Sequence, residues 1–261
     1  MEQGFFCENM GLIRDKLHIM NDHYDIPEFM RTATKYAYRR ALMDPSESLR
    51  LPFAIKKFGN EYSKLPKTRK TLLDFAFGFE YFGVSIKPGQ HRQEIAQLLE
   101  VLGRDPPKRL LEIGTYLGGT LFLFANVAAK DAHIISLDLP HGVNRMGYPE
   151  VRGTLFKRFA TGGQKMDLIQ IDSHTRPALD AVEKALAGSK LDFLFIDGDH
   201  TSEGVRKDFE MYSPLVRKGG IIAFHDITWD HVRDYWHSAR KGYRYEELLA
   251  GNSPGIGVMF V

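Results

Sequence analysis

The sequence predicts an α/β fold: a seven-stranded, mostly parallel β-sheet with an antiparallel C-terminal strand, preceded by an N-terminal helical extension. From about residue 90, short apolar runs alternate with segments whose apolar residues recur every three to four positions, which indicates alternating strands and helices. The runs are continuous, as in strands buried on both faces of a parallel sheet. The last two are joined only by AGNSPG, too short for a helical crossover, so they must pair antiparallel or separate in the sheet.

The first 86 residues read as a helical extension distinct from the sheet domain. Their apolar residues recur at helical spacing, with interruptions at prolines such as Pro52 and Pro66. Five aromatic residues near the end of this segment would form a large exposed patch unless they are covered. We therefore expect residues 1–86 to cap the active site or to form an oligomer contact, which makes a homo-oligomer plausible. Pro88 marks the boundary with a main domain at 87–261.

The main domain contains seven predicted strands and the helices between them. In chain order the strands are RLLEIG, HIISLDL, DLIQID, LDFLFID, GIIAFHD, YEELL and GIGVMFV. The helical segments are HRQEIAQLLEVLG, TLFLFANVAAK, LFKRFATG, ALDAVEKALAG, SEGVRKDFEMYSPLVRKGG and DHVRDYWHSARKG. Gly103 and Gly188 end two of these helices, as glycine often does at a helix C-terminus.

Composition limits the class of protein. The chain has 261 residues, 43% hydrophobic and 26% charged, which is enough for one large domain with an appendage. It contains no run of 18 apolar residues, so no membrane span is expected, and the N-terminus lacks the pattern of a signal peptide. The single cysteine, Cys7, excludes an internal disulfide and fits a reducing compartment, so we expect a cytoplasmic protein.

The net charge of +2 is unevenly distributed. Residues 31–70 contain eleven Lys or Arg and three acidic residues, which gives this segment a charge of +8. Such a segment is usually a solvated helical face. It would also suit peripheral contact with an anionic lipid surface or a phosphate-bearing substrate. No aromatic-interleaved motif accompanies the charge, so nucleic acid is not an expected partner.

The first predicted strand ends in a glycine-rich turn. Gly114, Gly118 and Gly119 form a G-x-x-x-G-G pattern. Glycine lets the backbone approach a ligand closely, and the following helix N-terminus offers N–H groups to an anion. The spacing differs from the G-x-G-x-x-G of dinucleotide sites and suits a smaller anion such as a carboxylate.

Acidic residues also end the next two strands, at the sheet edge where open parallel sheets bind ligands. Asp138 ends the second strand, about 20 residues after the glycine turn, where a carboxylate can accept hydrogen bonds from ribose hydroxyls. Asp172 and Ser173 end the third strand, where an adenine edge could be read. Helix capping explains these two residues equally well.

Four motifs, in order, resemble the class I S-adenosylmethionine-dependent methyltransferases. They are E-I-G-T-x-x-G-G-T, I-S-L-D, F-I-D-G-D-H and K-G-G-I-I-A-F-H-D, and the resemblance covers about residues 90–261. The closer match is to the metal-dependent O-methyltransferases, which include catechol O-methyltransferase, macrolide and aminocoumarin sugar O-methyltransferases and the cephalosporin hydroxylase family. The resemblance implies a Rossmann-like domain that binds S-adenosylmethionine. The cofactor residues it implies are Glu112, Gly114, Thr115, Tyr116 and Gly118 in the turn, Asp138 at the ribose, and Asp172 and Ser173 near the adenine.

Two carboxylates end the fourth and fifth strands. Neighbouring strands lie about 4.8 Å apart, so Asp197 and Asp226 can converge on one hard cation, and without one they would repel. In the resembling enzymes these positions bind Mg²⁺. His225 departs from the Asp, Glu or Asp-Asn found there, and imidazole suits Mn²⁺, Fe²⁺ or Zn²⁺ better. Either the cation is softer, or His225 turns away in favour of water, or the site is empty, and a purely structural histidine stays a rival interpretation.

The D-G-D-H sequence supplies the candidate general base. His200 lies three residues after Asp197, an offset that carries a lysine base in catechol O-methyltransferase and a histidine in some sugar enzymes. The unperturbed pKa of histidine, about 6.5, suits proton abstraction near neutrality. We favour His200 as the base and Asp199 as its orienting partner or as a binder of a substrate hydroxyl. The reverse assignment stays open.

Together these residues predict a divalent-metal-assisted O-methyltransferase that acts on a hydroxyl of a sugar, a glycolipid or a glycosylated natural product. A phenolic, catechol-like acceptor is the alternative, but it would need an aromatic gate that the sequence does not reveal. A nicotinamide-dependent oxidoreductase is disfavoured by the glycine spacing. Trp229 stands where a substrate wall would be, and the loop with His141 and Tyr148 stands where a lid would close.

Overall fold

The computed structural model describes residues 47–140 and 147–261, which contain a seven-stranded sheet and a small two-stranded ribbon. The strands are β1 Glu80–Tyr81, β2 Val84–Ser85, β3 Arg109–Ile113, β4 His133–Asp138, β5 Lys165–Gln170, β6 Leu191–Ile196, β7 Val216–His225, β8 Arg244–Leu248 and β9 Ile256–Phe260. The helices are α1 Glu47–Tyr62, α2 Arg69–Gly78, α3 Arg92–Gly103, α4 Gly119–Val127, α5 Gly153–Phe156, α6 Arg176–Leu186, α7 Ser202–Tyr212 and α8 Asp230–Ala239.

The sheet has the order β5-β4-β3-β6-β7-β9-β8. Strands β3 to β7 run parallel, and β9 pairs antiparallel with both β7 and β8, which confirms the predicted fold class. The chain moves outward from β3 through β4 and β5 and then returns to the other side of β3 with β6. This reversal of direction opens a crevice beyond the carboxyl ends of β3 and β6, the usual place for a ligand in such a sheet.

Apolar side chains cover both faces of the sheet. On one face, Phe193 and Phe195 of β6 each lie 5.2 Å from Phe124 of α4, measured between ring centroids. On the other face, Leu194 and Ile196 join a cluster that includes one stripe of α6. The continuous apolar strands seen in the sequence therefore correspond to strands buried on both sides.

The helices that precede residue 86 share a core with the sheet domain. The ring of Phe58 in α1 lies 5.4–5.9 Å from those of Phe75, Phe122 and Phe159. Ser48–Val261 form one compact unit, and a domain boundary at residues 86–87 stays a prediction. Residues 1–46, which include Cys7, lie outside the described residues, and a capping or oligomerisation role for the N-terminal segment stays a prediction.

The structure differs from the helices expected from the sequence at two places. Helix α1 runs through Pro52, which lies in its second turn. The hydrogen bond of the missing N–H is lost there, and burial of Leu51, Ala54 and Phe58 on one face of the helix offsets that cost. The segment LFKRFATG holds little helix, since α5 comprises only four residues.

The basic segment at 31–70 is described only from residue 47 onward. There Lys57, Arg69 and Lys70 form ion pairs of 2.8–3.2 Å with Glu61, Glu100 and Asp74. Such pairs are typical of a solvated helical surface. In the part of the chain that the structure describes, the helices are all too short or too polar to cross a bilayer.

Candidate active site

Three strand ends meet at the crevice. The glycine turn 114–119 follows β3, the loop 197–201 follows β6, and His225 and Asp226 end β7. The segment Lys87–Gln90, which precedes α3, lines a cleft at this crevice together with the glycine turn and Asp197. The strand ends named from the sequence are thus brought to one edge of the sheet.

The glycine turn is held between two neighbours. Gly114 has a φ of 87°, and a Cβ there would overlap the backbone carbonyl of Asp197. A Cβ at Gly119 would overlap the carbonyl of Ile86 and the nitrogen of Pro88. Only glycine permits such close approach, so the turn presents its backbone and the first N–H groups of α4 to the cleft. An anionic group of a ligand is the natural partner of such N–H groups.

Asp138 reaches the glycine turn, and its carboxylate holds the turn together. The backbone N–H groups of Thr115 and Tyr116 donate to Oδ2 at 3.0 and 2.9 Å, and that of Leu139 donates to Oδ1 at 2.7 Å. Burial raises the pKa of Asp138, and these three donors oppose the rise. Any ribose hydroxyl that binds Asp138 would therefore share it with the backbone.

Glu112 is fully buried beneath the turn. Its two carboxyl oxygens have no well-aligned hydrogen-bond donor among the described residues, although the hydroxyls of Thr115 and Thr120 are near. Burial raises the pKa of Glu112 to about 8, and the charges of Asp197 and Asp138 add to the rise. A buried carboxyl group with only such marginal contacts among the described residues suits a ligand that brings a cationic donor to the cleft.

Replacing Glu112 with glutamine should make the free protein more stable and bind cofactor more weakly. Between the ordinary pKa of 4.5 and the folded value of about 8, the folded state holds the proton more tightly, so the wild type loses stability as pH rises through this window. We expect the variant to gain roughly 2–4 kcal/mol in free energy of unfolding at pH 9 and almost nothing near pH 4.5. Denaturant titration at both pH values, with exposed Glu183→Gln as control, measures this. A variant that is less stable at pH 9 than the wild type contradicts it.

Asp197, His225 and Asp226 form a tight cluster. One possible ligand atom from each residue lies within 4.8 Å of the others. His225 Nδ1 lies 2.9 Å from Asp197 Oδ1 and 3.1 Å from Asp226 Oδ1. Asp226 adopts a φ of 60°, a left-handed conformation that costs most residues about 1–2 kcal/mol and that Asp tolerates best after glycine and Asn. Strain of this kind often marks a functional site.

The charges of the cluster are mutually compensating. Burial by itself would lower the pKa of His225, but the facing carboxylates of Asp197 and Asp226 raise it to about 10. Burial would likewise raise the pKa of Asp226, but contacts with His200 and His225 lower it to about 2. Near neutral pH the His225 proton therefore neutralises carboxylates that would otherwise repel.

The cluster fits a divalent cation. Two carboxylates and an imidazole match the ligand preferences of Mn²⁺, Fe²⁺ or Zn²⁺, and the carboxylates alone suit Mg²⁺. The Nδ1 atom of His225 faces both carboxylates, so a cation held there would take the place of a proton. Within the described residues, the buried Nε2 atom of His225 has no hydrogen-bond partner. Asp197, His225 and Asp226 are the residues that would hold the cation.

His200 joins this cluster through a different partner from the one expected. Its Nδ1 atom contacts Asp226 Oδ2, and its ring lies 5.3 Å from that of Trp229. Asp199 does not orient it, because the Asp199 carboxylate accepts a 2.7 Å hydrogen bond from the Thr201 N–H and lies against the first turn of α7. In the loop 197–201, called the DGDH loop, Asp199 thus stabilises the turn and His200 points toward β7. The contact with Asp226 raises the pKa of His200 against the effect of burial.

The residues expected near the adenine shape their own loop. Asp172 Oδ1 accepts a 2.9 Å hydrogen bond from the His174 N–H, and the Ser173 carbonyl accepts one of 2.8 Å from the Tyr212 hydroxyl. His174 Nε2 lies 3.3 Å from the buried carboxylate of Asp208. The turn-forming role allowed by the sequence is therefore present for Asp172, and adenine recognition stays a prediction. His141 of the proposed lid lies outside the described residues, whereas Tyr148 is buried against Phe156.

Gln90 is a residue of the site that sequence reasoning missed. Its side chain is 5% exposed, and its Nε2 atom donates a hydrogen bond to Asp197 Oδ2. It lies 107 positions from its partner, and neither periodicity nor a strand end singles it out.

The chain matches the family model for a methyltransferase domain over residues 111–227. This stretch runs from β3 to the end of β7 and therefore includes the glycine turn, the DGDH loop and the cation cluster. Gln90 and Trp229, which also border the site, lie outside the matched residues.

Relatives extend this similarity. The Dictyostelium discoideum protein named "Probable caffeoyl-CoA O-methyltransferase 3" is 28% identical over 189 residues, which are 72% of this chain and 70% of that protein. The flavonoid 3',5'-methyltransferase of Vitis vinifera is 27% identical over 154 residues, or 58% of this chain and 59% of that one. Among solved structures, the O-methyltransferase TomG of Streptomyces achromogenes, in complex with S-adenosylmethionine, aligns with a TM-score of 0.50 and 13% identity over 76% of this chain and 92% of its own. That structural likeness shows a shared fold.

Proposed function

Because the chain is a class I S-adenosylmethionine-dependent O-methyltransferase, we propose that it methylates a phenolic hydroxyl of a small molecule with the help of a divalent cation. The observation that carries this proposal is the convergence of the cluster Asp197, His225 and Asp226 with His200 and Trp229 beside the glycine turn. The charged cluster, the base His200 and the aromatic surface of Trp229 would then lie next to the methyl group of the bound donor.

The glycine turn and its neighbours would bind the cofactor. The N–H groups at the start of α4 suit the carboxylate of its methionine part, and Glu112 suits the ammonium. Gly114, Thr115, Tyr116 and Gly118 give the turn its shape. Asp138 would share its carboxylate between the turn and the ribose, and Asp172 and Ser173 would border the adenine.

His200 would act as the general base. Its Nδ1 atom is held by Asp226, so in the neutral ring the proton stays on Nδ1 and Nε2 can accept another. Nε2 would take the proton of the acceptor hydroxyl as that oxygen attacks, and His200 would then release the proton to water. When bound, the cofactor would supply the methyl group from its sulfonium, whose carbon–sulfur bond breaks to leave a neutral thioether. A bound cation would lower the pKa of the acceptor hydroxyl and offset the charge that develops on it.

The remaining residues position these groups rather than react. Asp197 and Asp226 supply the negative charge that holds a cation, and Asp226 also orients His200. Alignment of donor and acceptor is the main source of rate acceleration in a displacement of this kind.

A phenol is favoured over a sugar as acceptor. Trp229, already placed at a substrate wall by the sequence, is 50% exposed and inclined 37° to the His200 ring, so it would offer an aromatic surface to a flat acceptor. Flat rings stack on such a surface with a gain of about 0.5–1.5 kcal/mol. The names of the relatives point the same way, since they act on caffeoyl-CoA and flavonoids. Asp199, expected to orient His200 or to bind a substrate hydroxyl, has its Oδ1 atom engaged by the Thr201 N–H of its own turn. A sugar or glycolipid hydroxyl stays the alternative.

Trp229→Ala should raise the KM for a phenolic acceptor about 5- to 10-fold with a smaller change in kcat, because the stacking surface is lost while the base and the cluster remain. Tyr245→Ala, on the edge strand β8, is the matched control and should change neither constant. Steady-state kinetics with a catechol acceptor measure both. An unaltered KM in Trp229→Ala would show that the acceptor does not stack on Trp229.

The function itself is tested by methyl transfer from labelled S-adenosylmethionine to catechols and to glycosides, with and without a chelator. We expect transfer to a catechol that stops with chelator and returns with Mn²⁺ or Mg²⁺. Transfer to glycosides alone would favour the sugar alternative. Transfer that persists in chelator would contradict the role of the cation.

A further inference from the structure

Gln90 stands where the cofactor cleft and the cation cluster meet. It follows the segment 86–88, which packs directly on Gly119 at the start of α4, and it lines the cleft with the glycine turn and Asp197. Its carboxamide is almost completely buried. Both sites are therefore within reach of one side chain.

The orientation of the Gln90 carboxamide is set by its partner. An ionised carboxylate only accepts hydrogen bonds, so the NH₂ group must face Asp197 Oδ2. The other oxygen of Asp197 faces His225. Gln90 thereby fixes one edge of the Asp197 carboxylate and leaves the opposite edge to the cluster.

The carbonyl oxygen of Gln90 is then left as a buried acceptor. Among the described residues it has no hydrogen-bond partner. A buried acceptor of this kind costs about 1–3 kcal/mol unless a ligand or water supplies a donor. It therefore indicates that a donor group arrives at this position.

We propose that Gln90 is a positioning residue that couples the two sites: its amide holds Asp197 for the cation, and its carbonyl oxygen accepts a hydrogen bond from the ammonium of the bound cofactor. The inference rests on the proposed function. The N-terminus of α4 suits the cofactor carboxylate, and the ammonium sits on the carbon next to that carboxylate. The ammonium must therefore face acceptors of the same cleft, and Gln90 is one of them.

Coupling follows from this arrangement. An ammonium that fixes the carboxamide also fixes Asp197, so cofactor binding should strengthen cation binding, and the reverse must hold by the same factor. A glutamine that merely fills space would leave the two affinities independent.

The experiment measures binding rather than turnover. Free Mn²⁺ is followed by electron paramagnetic resonance with and without S-adenosylhomocysteine, and nucleoside affinity is measured by calorimetry. In the wild type we expect S-adenosylhomocysteine to tighten Mn²⁺ binding about fivefold or more. Gln90→Ala should abolish this coupling and lower the affinity for S-adenosylhomocysteine about tenfold. It should leave 5'-methylthioadenosine, which lacks the amino-acid part, within about twofold of its wild-type affinity.

Two further variants make the test decisive. Gln90→Met keeps the length and burial of the side chain but cannot hydrogen-bond in the same way, so it should behave as Gln90→Ala even if the alanine variant is poorly folded. Gln97→Ala, on the exposed face of α3, should behave as wild type. Coupling that survives in Gln90→Met, or equal weakening of both nucleosides, overturns the inference. A wild type that binds neither ligand would overturn the proposed function as well.

Discussion

His200→Ala is expected to lower kcat by about 10²–10⁴ and to leave the Kd for S-adenosylhomocysteine within about twofold of the wild type. The imidazole lies against Asp226 and Trp229, on the acceptor side of the cluster. Its loss therefore removes the proton acceptor without touching the glycine turn. Single-turnover methyl transfer and calorimetry measure the two quantities.

Controls separate the base from its neighbours. His237→Ala removes an exposed histidine of α8 and should leave both quantities unchanged. Imidazole added to His200→Ala should restore part of the rate, because the His200 side chain is 39% exposed and its site is open to solvent. If Asp199→Asn abolishes transfer and His200→Ala does not, the roles of the two residues are reversed. If cofactor binding collapses in His200→Ala, the residue is not the base.

Asp197→Asn is expected to have the largest effect on the cation. Loss of even an outer contact of a metal site costs about 10–100-fold in affinity, so loss of a direct carboxylate ligand should raise the Kd for Mn²⁺ at least about 100-fold. The rate of methyl transfer should fall by about 10³ or more at a fixed cation concentration, because charge stabilisation and alignment are lost together. Asparagine keeps the size of the side chain, so the loop should keep its shape.

The matched control is Asp131→Asn, an exposed aspartate before β4. It should bind Mn²⁺ as the wild type does. Mn²⁺ binding followed by paramagnetic resonance separates affinity from turnover. An Asp197→Asn protein that binds Mn²⁺ with wild-type affinity would show that the cation lies elsewhere.

The sheet and the general place of the site could be predicted because they depend on local patterns. Continuous apolar runs such as LDFLFI identify buried parallel strands, and the carboxyl ends of parallel strands lie at one edge of the sheet. Asp197 and Asp226 therefore could be paired from sequence alone. The short connection between β8 and β9 left only antiparallel pairing or separation in the sheet, and the two strands pair antiparallel.

The partners of individual side chains could not be predicted in the same way. Asp199 is adjacent to His200 in sequence, but it serves the turn before α7, while Asp226 reaches His200 from another strand. Gln90 contacts Asp197 across 107 positions, and only the packing of its segment on Gly119 brings it there. Such contacts depend on loop geometry, which has no periodic signature.

The balance of charge at the site also emerges only in three dimensions. In the sequence alone, His225 is unusual for a metal ligand at its position, and several roles are open to it. In the fold its Nδ1 atom lies between two carboxylates, which raise the pKa of His225 to about 10. The histidine is thus a counter-charge for the cluster, and its Nδ1 proton is what a bound cation would displace.

The central claim is that a cation held by Asp197, His225 and Asp226 lies beside the bound methyl donor. Crystals grown with Mn²⁺ and S-adenosylhomocysteine, with diffraction recorded at the manganese absorption edge, test it most directly. The account predicts one anomalous peak between the three side chains, with the homocysteine sulfur close by over the glycine turn. A peak at any other position, or none at saturating Mn²⁺ with the nucleoside in place, would contradict it.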